Sequence, residues 1–509
     1  MAPEQKQTAV ATTQETQTTV GSSILDGLLK PILDRLSLED DKAREMVKNA
    51  LEELLLQCRK ANAPSIENLD HMLQLMIGEL EHRVSDQMDE LLHGEEFQRL
   101  ESRWRGLGLL VERTDFSVDT ELVVLSASKQ EINDDLSDDS KTDEETAFFR
   151  HLYKPGIGQD GATPFASIFS GYEFDGGAQD VKLLRRISNI AASVHTPFFA
   201  NASPQFFGKD WANFDALPSK TSKDIIDHLN TKKFIEWNAF RDTENARYIG
   251  LMLPHFALRA PYHERDNPAG KNFSFYNEKI SSRKDYLFGA ATYALAVQVA
   301  RSYAETGLPS NVTGILSGGK VDQLPLPHFE AIPGQQAGRF PTDVLITKDL
   351  EKALAVELGF IPLVSYLGQD FATFVSLPSV QASKNFGKSA EAQRQQANFA
   401  RGTQLDNILM ISRFAHCMLI MQRDLLGSRV KASTIEETLK GWLQDYKCGN
   451  ANPSLRDMAE RPLKEYKVEV KEDSGRPGWY HIDVKLFPFD TYQGATIAMA
   501  LEGDTTAKS

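Results

Sequence analysis

The sequence predicts a mixed α/β (α+β) protein with an N-terminal helical region and a C-terminal β-hairpin. Apolar residues recur at helical spacing through the first 95 residues, and strand-like and helix-like segments alternate from Phe97 to about residue 380. Two alternating segments, Tyr466–Lys471 and Tyr480–Leu486, flank a turn that contains Gly and Pro. A chain of 509 residues is long enough for two to four packed units.

The N-terminal region is expected to hold a disordered tail followed by helices. Residues 1–21 are polar and low in complexity. Helical patterning starts after Ser22, and Pro31 predicts a kink or break within that first helix. Further amphipathic runs cover Met46–Leu55 and Ile66–Leu91. Their stripes predict packing within the chain or contact with a partner helix, because amphipathic helices without strands leave apolar faces to be covered.

Two segments of the middle region carry specific predictions. Glu121–Ser126 (ELVVLS) has the composition of a strand, and Ser128–Leu136 has that of a short helix. Between Lys129 and Thr146 the chain has eight acidic residues and two lysines, which is typical of a solvated surface loop.

A long, mostly apolar helix is predicted over Leu405–Leu426, before a Gly that provides a stop. At about 100° per residue, Asp406, Arg413 and Asp424 lie almost on one line along this helix. That line predicts either a buried ion-pair stripe or an inter-subunit contact.

Composition and charge exclude several classes of protein. The chain has 56 Lys and Arg against 71 Asp and Glu, and the formal charge of −15 argues against a general nucleic-acid binder. No stretch approaches the roughly 18–20 uninterrupted apolar residues of a membrane helix. The N-terminus lacks an apolar signal core, and three widely spaced cysteines suit a reducing cytoplasm. We expect an acidic intracellular protein.

No motif predicts catalysis, a cofactor or a metal site. Gly314–Val321 (GILSGGKV) matches a phosphate-binding loop until its last position, where Val321 replaces the hydroxyl residue that holds Mg²⁺. A Gly-rich turn is therefore the preferred interpretation. His416 and Cys417 are adjacent, so on a helix they point about 100° apart and do not share an ion. We expect no enzyme, no cofactor and no metal.

Several short strings occur in a characteristic order: Glu101–Leu107, Pro164–Phe174, His195–Ala200, Ala202–Gly208, Ala246–Pro254, Arg259–Tyr262, Gly359–Leu363, Ser412–His416, Arg423–Ser428, Trp442–Tyr446 and Arg461–Leu463. In order and spacing this set resembles the large subunit of the contractile sheath of bacterial type VI secretion systems, the TssC/VipB family. The resemblance covers residues 22–490. Gly171, His255 and Cys417 depart from the family pattern, which usually has an acidic residue, an arginine and an aromatic residue at these positions.

The resemblance implies a structural function without catalysis. The chain would pair with a smaller sheath subunit (TssB/VipA-like), and the pairs would stack with other copies into a helical tube around an inner tube protein (Hcp-like). Contraction from an extended, high-energy state would drive the inner tube through the envelope. The assembly would be cytoplasmic and docked to the envelope at a baseplate, with no nucleic acid and no membrane insertion.

The resemblance also implies domains and a phage-tail-sheath-like C-terminal region. These are a tail at 1–21, a helical outer and partner-binding region at 22–95, a mixed α/β sheath body at 96–400, and a C-terminal sheath core at 401–509 with an inter-subunit β-hairpin. The hairpin side chains expected in inter-subunit strands are Tyr466, Val468, Val470, Tyr480, Ile482, Val484 and Leu486.

Two further sets of contact residues follow from the resemblance. An AAA+ disassembly unfoldase would recognise an N-terminal helix containing Ile24, Leu25, Leu28 and Leu29. Contacts to the inner tube must release on contraction, which favours polar groups, so the candidate tube or subunit contacts are Asp406, Arg413 and Asp424.

Two alternatives stay open. A soluble α/β nucleotide-binding enzyme would use Gly314–Lys320 as its nucleotide loop and would dimerise through its N-terminal helices. A sheath of another phage-tail-like contractile particle would share the mechanics without a separate small partner.

Overall fold

The structure is a computed structural model that describes residues 41–60, 69–138, 140–156, 163–208, 211, 213–263, 275–327, 339–387, 389–425, 432–450, 452–472, 480–489 and 499–504. The predicted tail, the first helix with Pro31, and the turn of the C-terminal hairpin lie outside these residues. The chain divides into two compact units, one drawn from Met1–Gly94 and Pro261–Lys279, and the other from Glu95–Ala260 and Ile280–Ser509.

The described helices are α1 (Asp41–Lys60), α2 (Leu69–Leu92), α3 (Glu95–Arg113), α4 (Lys129–Leu136), α5 (Ala147–Gly156), α6 (Ala178–Ser193), α7 (Ser222–Leu229), α8 (Ile235–Arg241), α9 (Ala291–Thr306), α10 (Lys348–Lys352), α11 (Ala390–Gly402), α12 (Leu405–Leu425), α13 (Ala432–Asp445) and α14 (Leu455–Glu460). A π-helical turn, Ala353–Glu357, continues α10. Short 3-10 turns lie at Asp143–Glu145, Pro204–Phe206, Leu217–Ser219, Lys232–Phe234, Asn245–Tyr248 and Arg283–Asp285.

The described strands are β1 (Ile168–Phe174), β2 (Phe198–Ala202), β3 (Ile249–Leu253), β4 (Phe256–Ala257), β5 (Phe288–Gly289), β6 (Lys320–Val321), β7 (Phe360–Ser365), β8 (Ala372–Phe374), β9 (Leu463–Glu472), β10 (Tyr480–Pro488) and β11 (Met499–Asp504). They form a six-stranded sheet in the order β1-β2-β3-β7-β8-β6, a three-stranded sheet in the order β11-β10-β9, and a β4–β5 pair.

The six-stranded sheet is the centre of the second unit. β1, β2, β3 and β7 pair in parallel, whereas β8 and β6 continue the sheet antiparallel. β2, β3 and β7 are buried at every position, as expected for parallel strands that helices cover on both faces. Successive residues of β2 point to opposite faces of the sheet. Phe198 packs with α6 on one face, whereas Phe199 packs with α9 and the start of α12 on the other.

A separate hydrophobic core supports the C-terminal sheet. Met410, Phe414 and Met418 of α12 pack with Leu439 of α13 and with Val484 of β10. The first turn of α12 instead belongs to the core of the six-stranded sheet, through Leu405. One helix therefore joins the two cores of this unit.

Several predicted elements are confirmed. α12 ends within one residue of the predicted helix, and the capping box of Ser128 and Glu131 begins the predicted short helix α4. The C-terminal hairpin is confirmed, since β9 pairs antiparallel with β10 and Tyr466 lies opposite Leu486.

Two features of the prediction are wrong or incomplete. Glu121–Ser126 is not a strand, because no neighbouring strand pairs with it among the described residues. The hairpin is also extended by β11, which pairs antiparallel with β10 and was not expected.

Candidate assembly surfaces

One face of the C-terminal sheet packs against helices of the same chain. Val468, Ile482, Val484 and Leu486 are buried against α12 and α13. Tyr466 and Val470 are partly buried on the same side, whereas the alternate lysines and glutamates of β9 are exposed. The described apolar side chains of the predicted strand set thus stabilise the chain's own core, and a neighbour can reach these strands through their backbone edges or their exposed polar face.

Among the described residues, the outer edges of this sheet are not paired with a further strand. β10 lies between the two other strands, so β9 and β11 are the edge strands. Apart from a bridge between Leu463 and Lys447 at its start, β9 pairs only with β10 among the described strands. An edge strand of this kind is a template for another strand.

The polar residues of α12 do not form one ion-pair stripe. Asp406 lies 3.2 Å from Arg401, measured from Oδ2 to Nη1, so its partner is on α11 rather than on α12. Arg413 is half-buried, and no carboxylate within the described ranges pairs with it. Asp424 belongs to α12, but its side chain lies outside the described residues.

Arg413 instead faces an aromatic and thiol environment. Its guanidinium carbon lies 6.0 Å from the centre of the Tyr303 ring. Burial raises the pKa of Tyr303 and of Cys417, and the positive charge of Arg413 opposes both shifts. This cation therefore has a π contact and no counter-ion among the described residues.

The first unit holds exposed apolar side chains on α2. Ile77, Leu80 and Leu91 of the predicted stripe are exposed, whereas Met76 and Leu92 are buried. Part of the predicted stripe is therefore exposed, while Val84 and Met88 of the same stripe are half-buried.

Within the same unit, α2 holds the 275–279 segment through polar contacts. The Tyr276 hydroxyl donates to Asp89 Oδ1 at 2.7 Å, and Lys279 Nζ lies 2.5 Å from Asp86 Oδ1. His93 Nε2 lies 3.2 Å from Glu278 Oε1. These contacts fix a segment that is distant in sequence, and no sequence pattern indicated them.

The Glu101–Leu107 string forms the middle of α3 and has two different faces. Glu101 Oε1 accepts from Arg105 Nε at 2.6 Å and from Arg259 Nε at 3.0 Å. Gly106 packs against the Tyr293 ring of α9. On the opposite side Trp104 is 68% exposed, in line with Phe97, Leu100 and Val111, which are also exposed. These four positions recur at helical spacing, so the signal for this exposed apolar line is present in the sequence.

A partly buried cation joins β1 to the segment after β3 and to the loop that holds Asp343, beside the six-stranded sheet. His255 follows β3; its Nε2 lies 3.0 Å from Glu173 Oε1 of β1, and its Nδ1 lies 3.4 Å from Asp343 Oδ2. Burial alone lowers the pKa of His255, but the hydrogen bonds to Asp343 and Glu173 outweigh burial and raise that pKa to about 10. The imidazole is therefore a cation at neutral pH, and it serves where the resembled family usually has arginine.

The two motifs that were considered for catalysis or ion binding, Gly314–Val321 and His416–Cys417, have structural roles. Gly314 adopts a φ of +86°, Gly319 N–H donates to the Gly314 carbonyl at 3.1 Å, and the string continues into strand β6. A phosphate-binding loop requires a helix at this position, so the Gly-rich turn is confirmed. His416 Nε2 lies 2.9 Å from the Val194 carbonyl, and burial lowers its pKa to about 4.

Two absences apply to the described residues alone. No group of three His, Cys, Asp or Glu side chains is placed to hold a metal ion there. No helix among those residues is both long enough and apolar enough to cross a bilayer.

Comparison with known proteins identifies the family of the chain. Residues 74–381 match the family model described as EvpB/VC_A0108, tail sheath N-terminal domain (VipB), which covers more than half of the chain. The chain belongs to the VipB family of tail sheath proteins. Residues 394–505 match the companion model, EvpB/VC_A0108, tail sheath gpW/gp25-like domain. The expected membership of the TssC/VipB family is confirmed.

A curated relative agrees with the VipB assignment over nearly the whole chain. The Type VI secretion system sheath protein TssC1 of Pseudomonas aeruginosa is 29% identical over 474 residues, which span 92% of this chain and 93% of the relative. The VipB family is a family of structural sheath proteins rather than enzymes, so the prediction of a non-enzymatic structural subunit is confirmed.

Proposed function

We propose that this chain is the large subunit of a type VI secretion contractile sheath. It co-assembles with a smaller sheath subunit and with copies of itself into a helical tube around an inner tube, and contraction of that tube propels the inner tube. The sheath lies in the cytoplasm and docks to the envelope at a baseplate. The relative named as a type VI secretion sheath protein supports this specific system over another contractile particle.

The C-terminal sheet is the observation that carries the proposal. Its described apolar side chains are used inside the chain, while the backbone of β9 is open along most of one edge. Strand addition at such an edge joins subunits through main-chain hydrogen bonds, which survive rigid-body rotation of one subunit against another. A contracting sheath needs links of this kind, because its subunits must move without separating.

The remaining assignments are part of the same proposal. The domains are a tail (1–21), an outer helical region (22–95), a sheath body (96–400) and a C-terminal core (401–509). Arg413 is the strongest of the polar candidates for a tube or subunit contact, since no described carboxylate neutralises it. Recognition of an N-terminal helix by an AAA+ unfoldase concerns residues outside the described ranges.

Electron microscopy of the chain co-expressed with the small sheath subunit of the same secretion system tests the proposal. We expect long hollow tubes of uniform width. Dispersed particles, with both chains present in the sample, would contradict it. The chain expressed alone is the control, because a sheath that needs its small partner gives no regular tubes without it.

A further inference from the structure

Glu121–Ser126 is a mostly apolar segment that pairs with no strand of the described residues. Val123 and Val124 are 60% and 64% exposed, and Leu125 is exposed as well. No hydrogen bond joins any of these six residues to the rest of the described chain. The segment has strand composition but lacks the backbone partners that make a strand.

The segment is nevertheless held in place at both ends. Leu122 packs against the cluster formed by Leu110 of α3 with Ala296 and Val297 of α9. At the other end, the Ala127 carbonyl accepts the Tyr172 hydroxyl of β1 at 2.6 Å. Ser128 then begins α4. A segment fixed in this way loses little conformational entropy when a partner binds, so it is preorganised.

The chemistry of the segment selects a strand as its occupant. Paired as a strand, the segment would present Val124 on one side and Val123 and Leu125 on the other, so both sides would be apolar, as in a strand buried between two layers. A docked helix would cover these side chains and leave the backbone N–H and C=O groups desolvated and unpaired, which is costly. A second strand covers the side chains and pairs the backbone as well.

The surrounding charge selects a different polypeptide rather than a second copy. Glu121 opens the segment, and α4 with the following turn adds the carboxylates Glu131, Asp134, Asp135 and Asp138 against one cation, Lys129, which already pairs with Asp180. Two copies paired here would bring these carboxylates together. A partner strand with Lys or Arg on its flanks would neutralise them.

We propose that Glu121–Ser126 is a docking strand for an extended apolar segment with basic flanks, which belongs to the smaller sheath subunit and adds by β-pairing. This inference rests on the proposed function, because that function supplies the second sheath polypeptide. The site is distinct from the edges of the C-terminal sheet.

Hydrogen exchange measured by mass spectrometry tests the inference, with the isolated chain compared to purified tubes of both subunits. We expect exchange of the 122–126 amides to slow by about 100-fold in the tubes. Tubes in which these amides exchange as in the isolated chain would overturn the docking strand and leave the sheath function standing. Protection that rises with concentration of the isolated chain would identify a second copy and also overturn it.

A pair of proline variants separates strand pairing from burial alone. Adjacent N–H groups of a strand point to opposite edges, so one of Val123→Pro and Val124→Pro removes a bond to the partner. We expect one of them to weaken capture of the small subunit about tenfold, and the Val123→Thr and Val124→Thr controls to bind as wild type. The exposed segment makes no described hydrogen bonds, so the fold tolerates these changes. Unchanged capture by both proline variants would refute the pairing.

Discussion

At the scale of single residues, His255 shows how two carboxylates keep an imidazole charged at neutral pH. Its two nitrogens each face a carboxylate, Glu173 from one element and Asp343 from another. Lys129 also acts on Glu173, and Arg283 acts on Asp343, so the site is a small network of alternating charge. The three residues are far apart in sequence, which is why no spacing pattern revealed the network.

The stabilisation from His255 should depend on pH. Because the folded-state pKa is raised from 6.5 to about 10, the contribution is complete below pH 6.5 and is lost as the pH rises towards 10. We expect His255→Gln to lower the urea midpoint clearly at pH 6 and only slightly near pH 10. Urea unfolding of both proteins at four pH values measures this. A constant difference across that range would show that the charge contributes nothing.

Two glycines of α3 provide a matched pair at the same scale. A Cβ on Gly106 would lie 2.4 Å from the Tyr293 ring, whereas a Cβ on Gly108 meets nothing within 4 Å. We expect Gly106→Ala to destabilise the protein by about 1–3 kcal/mol through overpacking. Gly108→Ala should stabilise it by about 0.5–1 kcal/mol, because alanine is the better helix former. Equal effects in thermal or urea unfolding would mean that α3 and α9 are not in close contact.

At the scale of secondary-structure elements, α12 contributes to two hydrophobic cores. Its first turn belongs to the core of the central sheet, and its middle belongs to the core of the C-terminal sheet. The apolar length of the segment predicted the helix correctly. Asp406 of α12 pairs with Arg401 of α11. No pattern in the sequence indicated that these two residues pair.

Arg401 and Arg413 should respond differently to the loss of their charge. Arg401 pairs with Asp406 in a largely buried contact, so Arg401→Gln should destabilise the isolated chain by about 1–3 kcal/mol. Arg413 has no described carboxylate partner, so Arg413→Gln should leave the isolated chain nearly as stable and should reduce tube formation with the small subunit. Urea unfolding and electron microscopy of both variants test this. Normal tubes from Arg413→Gln would remove this residue from the contact candidates.

At the scale of the whole molecule, the position of the C-terminal core determines which truncations are informative. Deletion of Tyr466–Ser509 would remove Val468, Val484 and their neighbours and expose the apolar faces of α12 and α13. A chain that ends at Phe489 loses β11 but keeps every named member of that core.

We expect the chain that ends at Phe489 to fold, because the named core is intact, and to assemble poorly, because it lacks the second edge strand of the C-terminal sheet. Circular dichroism should show an unfolding midpoint close to that of the full chain, while electron microscopy with the small subunit should show short tubes or none. The full chain, purified in parallel, is the control. Long regular tubes from the shorter chain would show that β11 does not link subunits.

The sequence by itself determined the fold class, the C-terminal hairpin, the α12 helix and the family. These features depend on local periodicity and on an ordered set of short strings, which a single chain displays directly. It could not determine that Glu121–Ser126 remains unpaired, that the apolar side chains of the hairpin serve an internal core, or that His255 lies between two carboxylates. Those facts depend on which distant elements become neighbours, and only the tertiary structure brings α9, β1 and α12 to the places where their contacts form.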